Sequence, residues 1–498
     1  MNNSNLLKIL AIVSGLLVAF LFWHEPWGLN TFLLSLFLVA VCIANKGFSE
    51  ITGPLMILSI GTLLSSILIV VNNSDYAKTT WVISLILWMG FQQKLPVKSF
   101  LNAGVLGVVN FFESPFRIFA PSGDGQKQSF WKSFWRKTTL LAIPIGLLVT
   151  FYLIYYKANA KFAQFSDKVF DVFQRFPEID IDPNLVILIL TGIMLFGGIF
   201  FHSGLNEFFH KREEPLSENL TRKRRKIQDY FANINTLSLK KEYRIGVLVL
   251  ALLNLQLLIV NIIDIIYVWF SFEERSAPEL SQFVHEGTSL LILAIVLAMA
   301  VILWFFRGNI NFLSGNKFIK QLVYAWIIQN ALLTLSVGMR NFHYIQAYGL
   351  AYKRIGVFFF LALVIYGLWT LKEKVQAPKT FFYLLQKNAW FLYFTLLVFS
   401  SINWNVAITK FNLSKNPEKG IDSYFLINVV PDHNLFVLLE NEEKLLKGAT
   451  KDKNELRNNL ERKKAWFLEA REYRTWKSFN FPDWRNERYL KKGNITSK

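Results

Sequence analysis

The chain has 498 residues, of which 53% are hydrophobic, 16% aromatic and only 18% charged, and its formal net charge is +19. A soluble chain usually carries about a quarter charged residues, so this deficit, with 47 Phe and 15 Trp, makes lipid the main solvent and argues against an ordinary soluble domain. The positive balance does not imply nucleic-acid binding. Most basic residues lie between apolar runs or in the C-terminal tail, as they would beside an anionic membrane.

The pattern along the chain is that of an all-α, polytopic integral membrane protein. Met1 to Trp23 places Lys8 before an apolar stretch, but no small-residue cleavage site closes it, so it reads as an uncleaved first span. Cys42 is the single cysteine and lies inside the next apolar run, which rules out an intrachain disulfide and a cysteine metal site. Apolar runs recur at Leu6–Trp23, Leu29–Ala44, Pro54–Val71, Thr79–Phe91, Thr138–Tyr156 and Leu185–His202. Further runs are Ile245–Phe270, Ser289–Phe306, Phe318–Gly338, Ile355–Leu371 and Phe382–Ile402. Together they give about eleven transmembrane helices, the second and fourth being short. Ser99–Asn110 is apolar too, but Phe111-Phe112-Glu113-Ser114-Pro115 is expected to break it after about a dozen residues, so 99–119 reads as an interfacial or re-entrant helix.

Lysine and arginine in the connections orient the spans. Lys94 to Lys137 and the loop 204–243, with its run Arg222-Lys223-Arg224-Arg225-Lys226, are strongly basic and read as cytoplasmic. The opposite connections carry Asp167, Asp171, Glu178, Asp180 and Asp182, then Glu273, Glu274, Glu279 and Glu286. Alternation puts the N-terminus inside and the C-terminal tail outside. Residues 1–403 form the transmembrane domain and 404–498 a small, mostly helical soluble appendage. In it Leu456, Leu460, Trp466, Phe467, Ala470 and Tyr473 recur at helical spacing, and Arg462-Lys463-Lys464 reads as a solvated helix face. No internal repeat is evident.

Polar groups inside the membrane are costly, about 2.5–3.5 kcal/mol for a charge at mid-span, so they need partners or a water-filled cavity. In the seventh span Asn254, Asn261 and Asp264 share one helix face, with Gln256 nearby. In the ninth, Asn330, Thr334 and Gly338 form a stripe suited to close helix contact. That span runs into a turn containing Arg340, His343, Tyr344, Tyr348, Lys353 and Arg354, positive charge on the side where short loops are usually poor in it. These cations require acids, and Asp264, Glu273, Glu274 and Glu286 lie on the same side. Two readings stay open: a buried lattice of ion pairs that fixes helix register, or a site where Arg340 and Arg354 grip an anionic or polar ligand with Asp264, His285 or Glu286 carrying protons.

His285-Glu286, His343 and His24-Glu25 are too scattered for a metal site, and no helical His-x-x-x-His spacing occurs, so no metal or cofactor is expected. No P-loop, Gly-x-Ser-x-Gly or dinucleotide fingerprint is present. Gly192, Gly197 and Gly198 read as helix-packing positions.

Several landmarks occur together and in order. They are Phe22-Trp23-His24-Glu25 with Gly28-Leu29-Asn30, Val284-His285-Glu286-Gly287, and Arg340 through Tyr348-Gly349-Leu350 to Arg354. In the tail follow Asn403, Asn412-Leu413, Asp422-Ser423-Tyr424 and Asp483-Trp484-Arg485. The set resembles the bacterial multi-spanning proteins grouped as domain of unknown function 4153/4173, with Ala351 standing where Thr is expected. The resemblance implies architecture and a bacterial membrane setting, and no activity. The leading functional reading is envelope transport or sensing through the outward-facing Arg/Asp/His/Glu cluster, with the lipid bilayer, an anionic lipid or another membrane protein as partner. The alternatives are a membrane enzyme acting on a lipid-linked substrate and a non-catalytic scaffold protein.

Overall fold

The structure is a computed structural model describing residues 3–46, 52–118, 148, 152, 156, 160–173, 182–222, 236–270, 277–415, 421–447 and 453–496; for 277–289 the backbone alone is described. Among these residues the structure is helical, with an isolated β-bridge between Asn219 and Lys379. Most of the fifth expected span, the run Lys223–Lys226 and Glu273/Glu274 lie outside the described residues.

The first lobe contains α1 (Asn3–Phe22), α2 (Leu29–Lys46), α3 (Gly53–Asn72), α4 (Asp75–Phe91), α5 (Phe100–Ile118) and, after α6 (Ala160–Phe173) in the chain, α7 (Pro183–Phe200). Small residues let these helices approach closely. A Cβ on Gly192 of α7 would sit 2.6 Å from the Ser14 carbonyl oxygen of α1. Gly90 and Gly107 bring α4 and α5 into backbone contact, and Gly197 faces Ser114 of α5. The three glycines of the sixth span therefore pack helices, as their spacing predicts.

The expected break at Phe111–Pro115 does not occur. Pro115 lacks the N–H that would bond the Phe111 carbonyl, and the Ser114 hydroxyl donates to that carbonyl instead at 2.9 Å. Glu113 is buried, accepts from Ser203 Oγ at 2.7 Å and the Gly204 amide at 3.2 Å, and pairs with Arg117. The helix thus continues to Ile118, packed against α4 and α7.

After the short α8 (Asn206–Glu213), the second lobe contains α9 (Thr236–Asp264), α10 (Ala277–Phe305), α11 (Lys317–Tyr348) and α12 (Tyr352–Gln376). Along α9, Leu248, Leu252, Leu255, Ile259, Ile262 and Ile266 form one exposed apolar stripe, while Asn254, Asn261 and Asp264 are buried on the other side. This is the inverse of a soluble amphipathic helix and places hydrocarbon outside. A final helix of the bundle, α13 (Phe381–Ser400), joins the two lobes. Its Tyr393 hydroxyl meets Ser84 at 2.9 Å, its Ser400 hydroxyl meets Thr80 at 2.9 Å, and its Asn388 donates to Thr370 at 2.9 Å.

Five described helices are long and apolar enough to cross a membrane: Gly53–Asn72, Pro183–Phe200, Leu239–Phe270, Lys317–Tyr348 and Tyr352–Gln376. A sixth is added if α13 and α14 (Trp404–Ser414), bent by 61°, are one span. Leu6–Phe22, Leu29–Ala44 and Leu290–Phe305 are shorter apolar helices.

Beyond α13 the chain builds a third core. Ile408, Leu413, Leu426, Leu435, Leu438 and Leu445 are buried against Leu456, Leu460 and Phe467 of α17 (Lys453–Glu472), with α15 (Leu435–Glu440) and α16 (Glu442–Lys447) between. The helical spacing expected for this segment is present, but Trp466 and Tyr473 point outward. Lys463 corrects the expectation of a solvated basic face. It falls on the buried stripe three residues after Leu460, and its ammonium donates to the Ile427 carbonyl at 2.8 Å and the Val430 carbonyl at 2.5 Å. Burial pushes it down to about 8, with Asp432 opposing.

Candidate functional site

The residues singled out from the sequence separate into three groups. Asn254 donates to the Leu250 and Leu322 carbonyls at 2.7 and 3.0 Å and accepts from Gln329 at 2.7 Å, while Asn261 donates to the Gln329 carbonyl at 3.1 Å. Asn330 and Thr334 each bond within α11 at 2.7 Å. These amides hold α9 to α11 along the bundle.

At the end of this seam Asp264 and Arg340 form a buried ion pair at 2.5 Å. Directly after Asp264 the chain widens into a π-helical turn, Ile265–Phe270, which leaves carbonyls needing new donors. His343 supplies one, Nε2 to the Val268 carbonyl at 3.2 Å, and Trp269 Nε1 bonds Ser336 at 3.0 Å.

Arg354 belongs elsewhere. Its guanidinium lies 4.2 Å from the Tyr344 ring centre and 5.9 Å from that of Tyr348, and it donates to the Gly349 carbonyl. This stack closes the Tyr-Gly-Leu turn. Asn412 of α14 completes it, accepting from the Leu350 amide at 2.6 Å and donating to its carbonyl at 2.9 Å. The side chains of His285 and Glu286 lie outside the described set. Among the described residues no three His, Cys, Asp or Glu side chains converge to hold a metal ion.

A cavity of about 700 Å³ lies where the bundle meets the C-terminal unit. Three remote stretches wall it. The bundle supplies Asn73 and Ser74 from the α3–α4 connection, Asp75 and Lys78 from the first turn of α4, and Tyr352 from the start of α12. Asn405 of α14 and Asp432 and His433 of the third core form the floor. Arg474 and Asp483 close the far side, the latter in the first turn of α18 (Phe481–Thr496).

Most of these side chains are held in place. The Tyr352 hydroxyl donates to Asn405 Oδ1 at 2.6 Å, which leaves Asn405 Nδ2 to donate to His433 Nδ1 at 3.0 Å. With Nδ1 accepting, the neutral imidazole carries its proton on Nε2. Burial pushes His433 below its ordinary value; Asp483, Asp432 and Asp75 oppose this and Lys78 reinforces it. Arg474 pairs with Asp483 at 2.6 Å, and Lys78 with Asp75 at 3.4 Å. Asn73 is 7% exposed, in the left-handed region at φ +45°, and its Oδ1 accepts no hydrogen bond.

The tail is fastened over this cavity by the first interhelical turn. Glu25 accepts from the Thr475 amide at 3.1 Å and from its hydroxyl, Leu29 donates to the Phe479 carbonyl at 3.0 Å, and Lys477 donates to the Phe20 carbonyl at 2.9 Å. Burial would raise Glu25, but the Ser478 and Thr475 hydrogen bonds outweigh it and hold the carboxylate below its ordinary range. Asn30 fixes the turn from inside by donating to the Leu21 and Pro26 carbonyls.

The family described as domain of unknown function, DUF4153, matches residues 33–437. The chain belongs to this family. No curated protein and no solved structure matches the chain. The DUF4153 region contains Asn73–Lys78, Tyr352, Asn405 and His433, and it ends before Arg474 and Asp483. The landmarks behind the sequence resemblance thus acquire positions. His24-Glu25 and Gly28–Asn30 hold the tail, Tyr348–Leu350 and Asn412 form the adjoining turn, and Asp483 reaches the cavity.

Sequence reasoning passes over most of this cavity. Asn73-Ser74-Asp75 is a polar connection between two apolar runs, and Asp432-His433-Asn434 a polar turn before Leu435. Each is an ordinary loop in one dimension, and nothing local pairs them.

Proposed function

We propose that the protein is a ligand-binding membrane protein of a bacterial inner membrane, serving envelope sensing or transport, and that it takes a polar ligand into the cavity between bundle and C-terminal unit. About eleven spans, a cytoplasmic N-terminus and an external C-terminal unit complete the reading. The arrangement of connections supports this orientation. Residues 23–30, 73–75 and 349–352 meet the C-terminal unit at one end, whereas Leu95 bonds Asn206 and Thr380 bonds Glu218 at the other. Residues 204–222, the described first part of the basic loop, belong to the second end.

The observation carrying the proposal is the cavity itself: polar and aromatic, assembled from three remote stretches, with His433 oriented by the Tyr352–Asn405 relay and kept below its ordinary value by burial. Ligand sites favour such concave junctions with a few oriented polar groups. The buried Asp264–Arg340 pair supports a structural part for the outer turn.

The test uses the full chain in lipid nanodiscs, with ethanolamine, acetate, inorganic phosphate and glucose as probes. One chemical class is expected to raise the unfolding temperature of the native protein and not of Val429→Trp, which fills the exposed rim of the cavity. Failure of all four probes, or a shift of equal size in both proteins, would overturn the reading.

A further inference from the structure

We infer that this cavity takes a primary ammonium group, carried on a phospholipid headgroup or on a small free amine. The inference rests on the cavity being a ligand site and adds the chemistry of what enters it.

The first support is the balance of charge. Asp75, Asp432 and Asp483 face the cavity against two cations, Lys78 and Arg474. Arg474 and Asp483 are committed to each other at 2.6 Å, and Asn480 Nδ2 also donates to Asp483 at 2.9 Å. Two carboxylates then remain for a ligand. Asp75 is 87% exposed, and its pairing with Lys78 at 3.4 Å is of the weak, solvent-screened kind that yields to a competitor. Asp432 is 49% exposed and stands 3.7 Å from Lys463, whose ammonium is already bonded to two carbonyls.

The second support is independent of those acids. Asn73 lines the same cavity, is more than nine-tenths buried, and carries a covered Oδ1 with no donor. A buried acceptor left without a donor costs about 1–3 kcal/mol, so a ligand that brings an N–H is favoured here. An anionic ligand would bring only acceptors to this acceptor and to two carboxylates.

The third support is the aromatic wall. Tyr76 packs edge-on against Phe399 at 4.9 Å and Trp404 packs against the same ring at 4.7 Å, so both cavity-lining rings share one brace. Aromatic faces attract cations, and a primary ammonium has three N–H groups to share among Asp75, Asp432 and Asn73. A quaternary ammonium offers the charge without the N–H groups.

The test uses the full chain in nanodiscs of phosphatidylcholine and phosphatidylglycerol. In one arm ethanolamine is titrated and followed by calorimetry and unfolding temperature. In the other, phosphatidylethanolamine replaces phosphatidylcholine and no free amine is added. Stabilisation by ethanolamine alone identifies a free amine as the source, and stabilisation by phosphatidylethanolamine identifies the headgroup; either supports the inference. Asp75→Asn and Asp432→Asn should each weaken ethanolamine binding about tenfold, and Asp75→Asn, whose pairing with Lys78 is solvent-screened, should leave unfolding without ligand unchanged. Binding unaffected by both substitutions would overturn it. Acetate or glucose binding that Val429→Trp abolishes, with no response to either amine, would remove the ammonium assignment and keep the ligand site. Silence from every probe would remove both.

Discussion

Asp264 on α9 and Arg340 on α11 meet at 2.5 Å with both side chains buried. Removing one partner of a buried pair leaves the other charge uncompensated, at a typical cost of about 3–5 kcal/mol. Arg340→Ala is therefore expected to lower the unfolding temperature sharply, and Asp264→Leu with Arg340→Met to recover most of the loss. Because the pair does not line the cavity, the double variant should bind ethanolamine as the native protein does. Loss of binding with stability intact would move the site to this pair.

The contact between Glu25 and Thr475 gives the C-terminal unit an acid-sensitive fastening. The folded value of Glu25 is lowered from 4.5, so its contribution to stability is fully present above 4.5 and is lost as the pH falls through that lower folded value. Limited proteolysis near Tyr473–Trp476 should accelerate across that step in the native protein. Glu25→Gln, which carries no charge to lose, should show faster cleavage at neutral pH and no acid step at this site.

The two halves of this molecule differ in how readily the sequence discloses them. Helices were legible because lipid enforces long apolar runs, and the inward face of α9 was legible because Asn254, Asn261 and Asp264 repeat at helical spacing. The continuation of α5 past Pro115 was not, because the donor to the Phe111 carbonyl is a serine hydroxyl that no periodicity reports. Lys463 misleads for a related reason: a lysine on a polar helix usually faces water, and its buried carbonyl partners, Ile427 and Val430, lie more than thirty residues earlier. The cavity was hidden most deeply. Asn73, Asn405 and His433 become neighbours only when the third core docks on the bundle, and that docking depends on Glu25 and Thr475, 450 residues apart.

Gly349 and Asn412 form the turn beside the cavity, and each residue type is required there. At φ +82° and ψ −177° the backbone is in a region essentially reserved for glycine, and a Cβ would also collide with the Asn412 amide. Gly349→Ala should cost about 1–3 kcal/mol from strain alone. Asn412→Asp keeps the acceptor for the Leu350 amide but loses the donor to its carbonyl, so it should destabilise the turn while Asn412→Gln gives partial rescue. Hydrogen exchange at the Leu350 amide is the direct measurement, and unchanged protection in Asn412→Asp would count against the assigned geometry.

His433 makes ammonium binding dependent on pH in a direction that can be fixed in advance. Its folded value lies below 6.5, so the ring is neutral above 6.5, and the stability associated with that neutral state is lost as the pH falls through the lower folded value. Protonation adds a positive charge facing Asp75, Asp432 and Asp483, beside Lys78, and removes the acceptor that Asn405 Nδ2 uses. Ethanolamine binding should be constant from pH 8 to 6.5 and weaken below the folded value. Exposed carboxylates keep their charge down to about pH 4, so a step between these limits belongs to the imidazole. His433→Gln should bind ethanolamine with no such step. A step between pH 6.5 and about 4 that persists in His433→Gln would remove His433 from the site and leave Asp75, Asp432 and Asn73 to account for binding on their own.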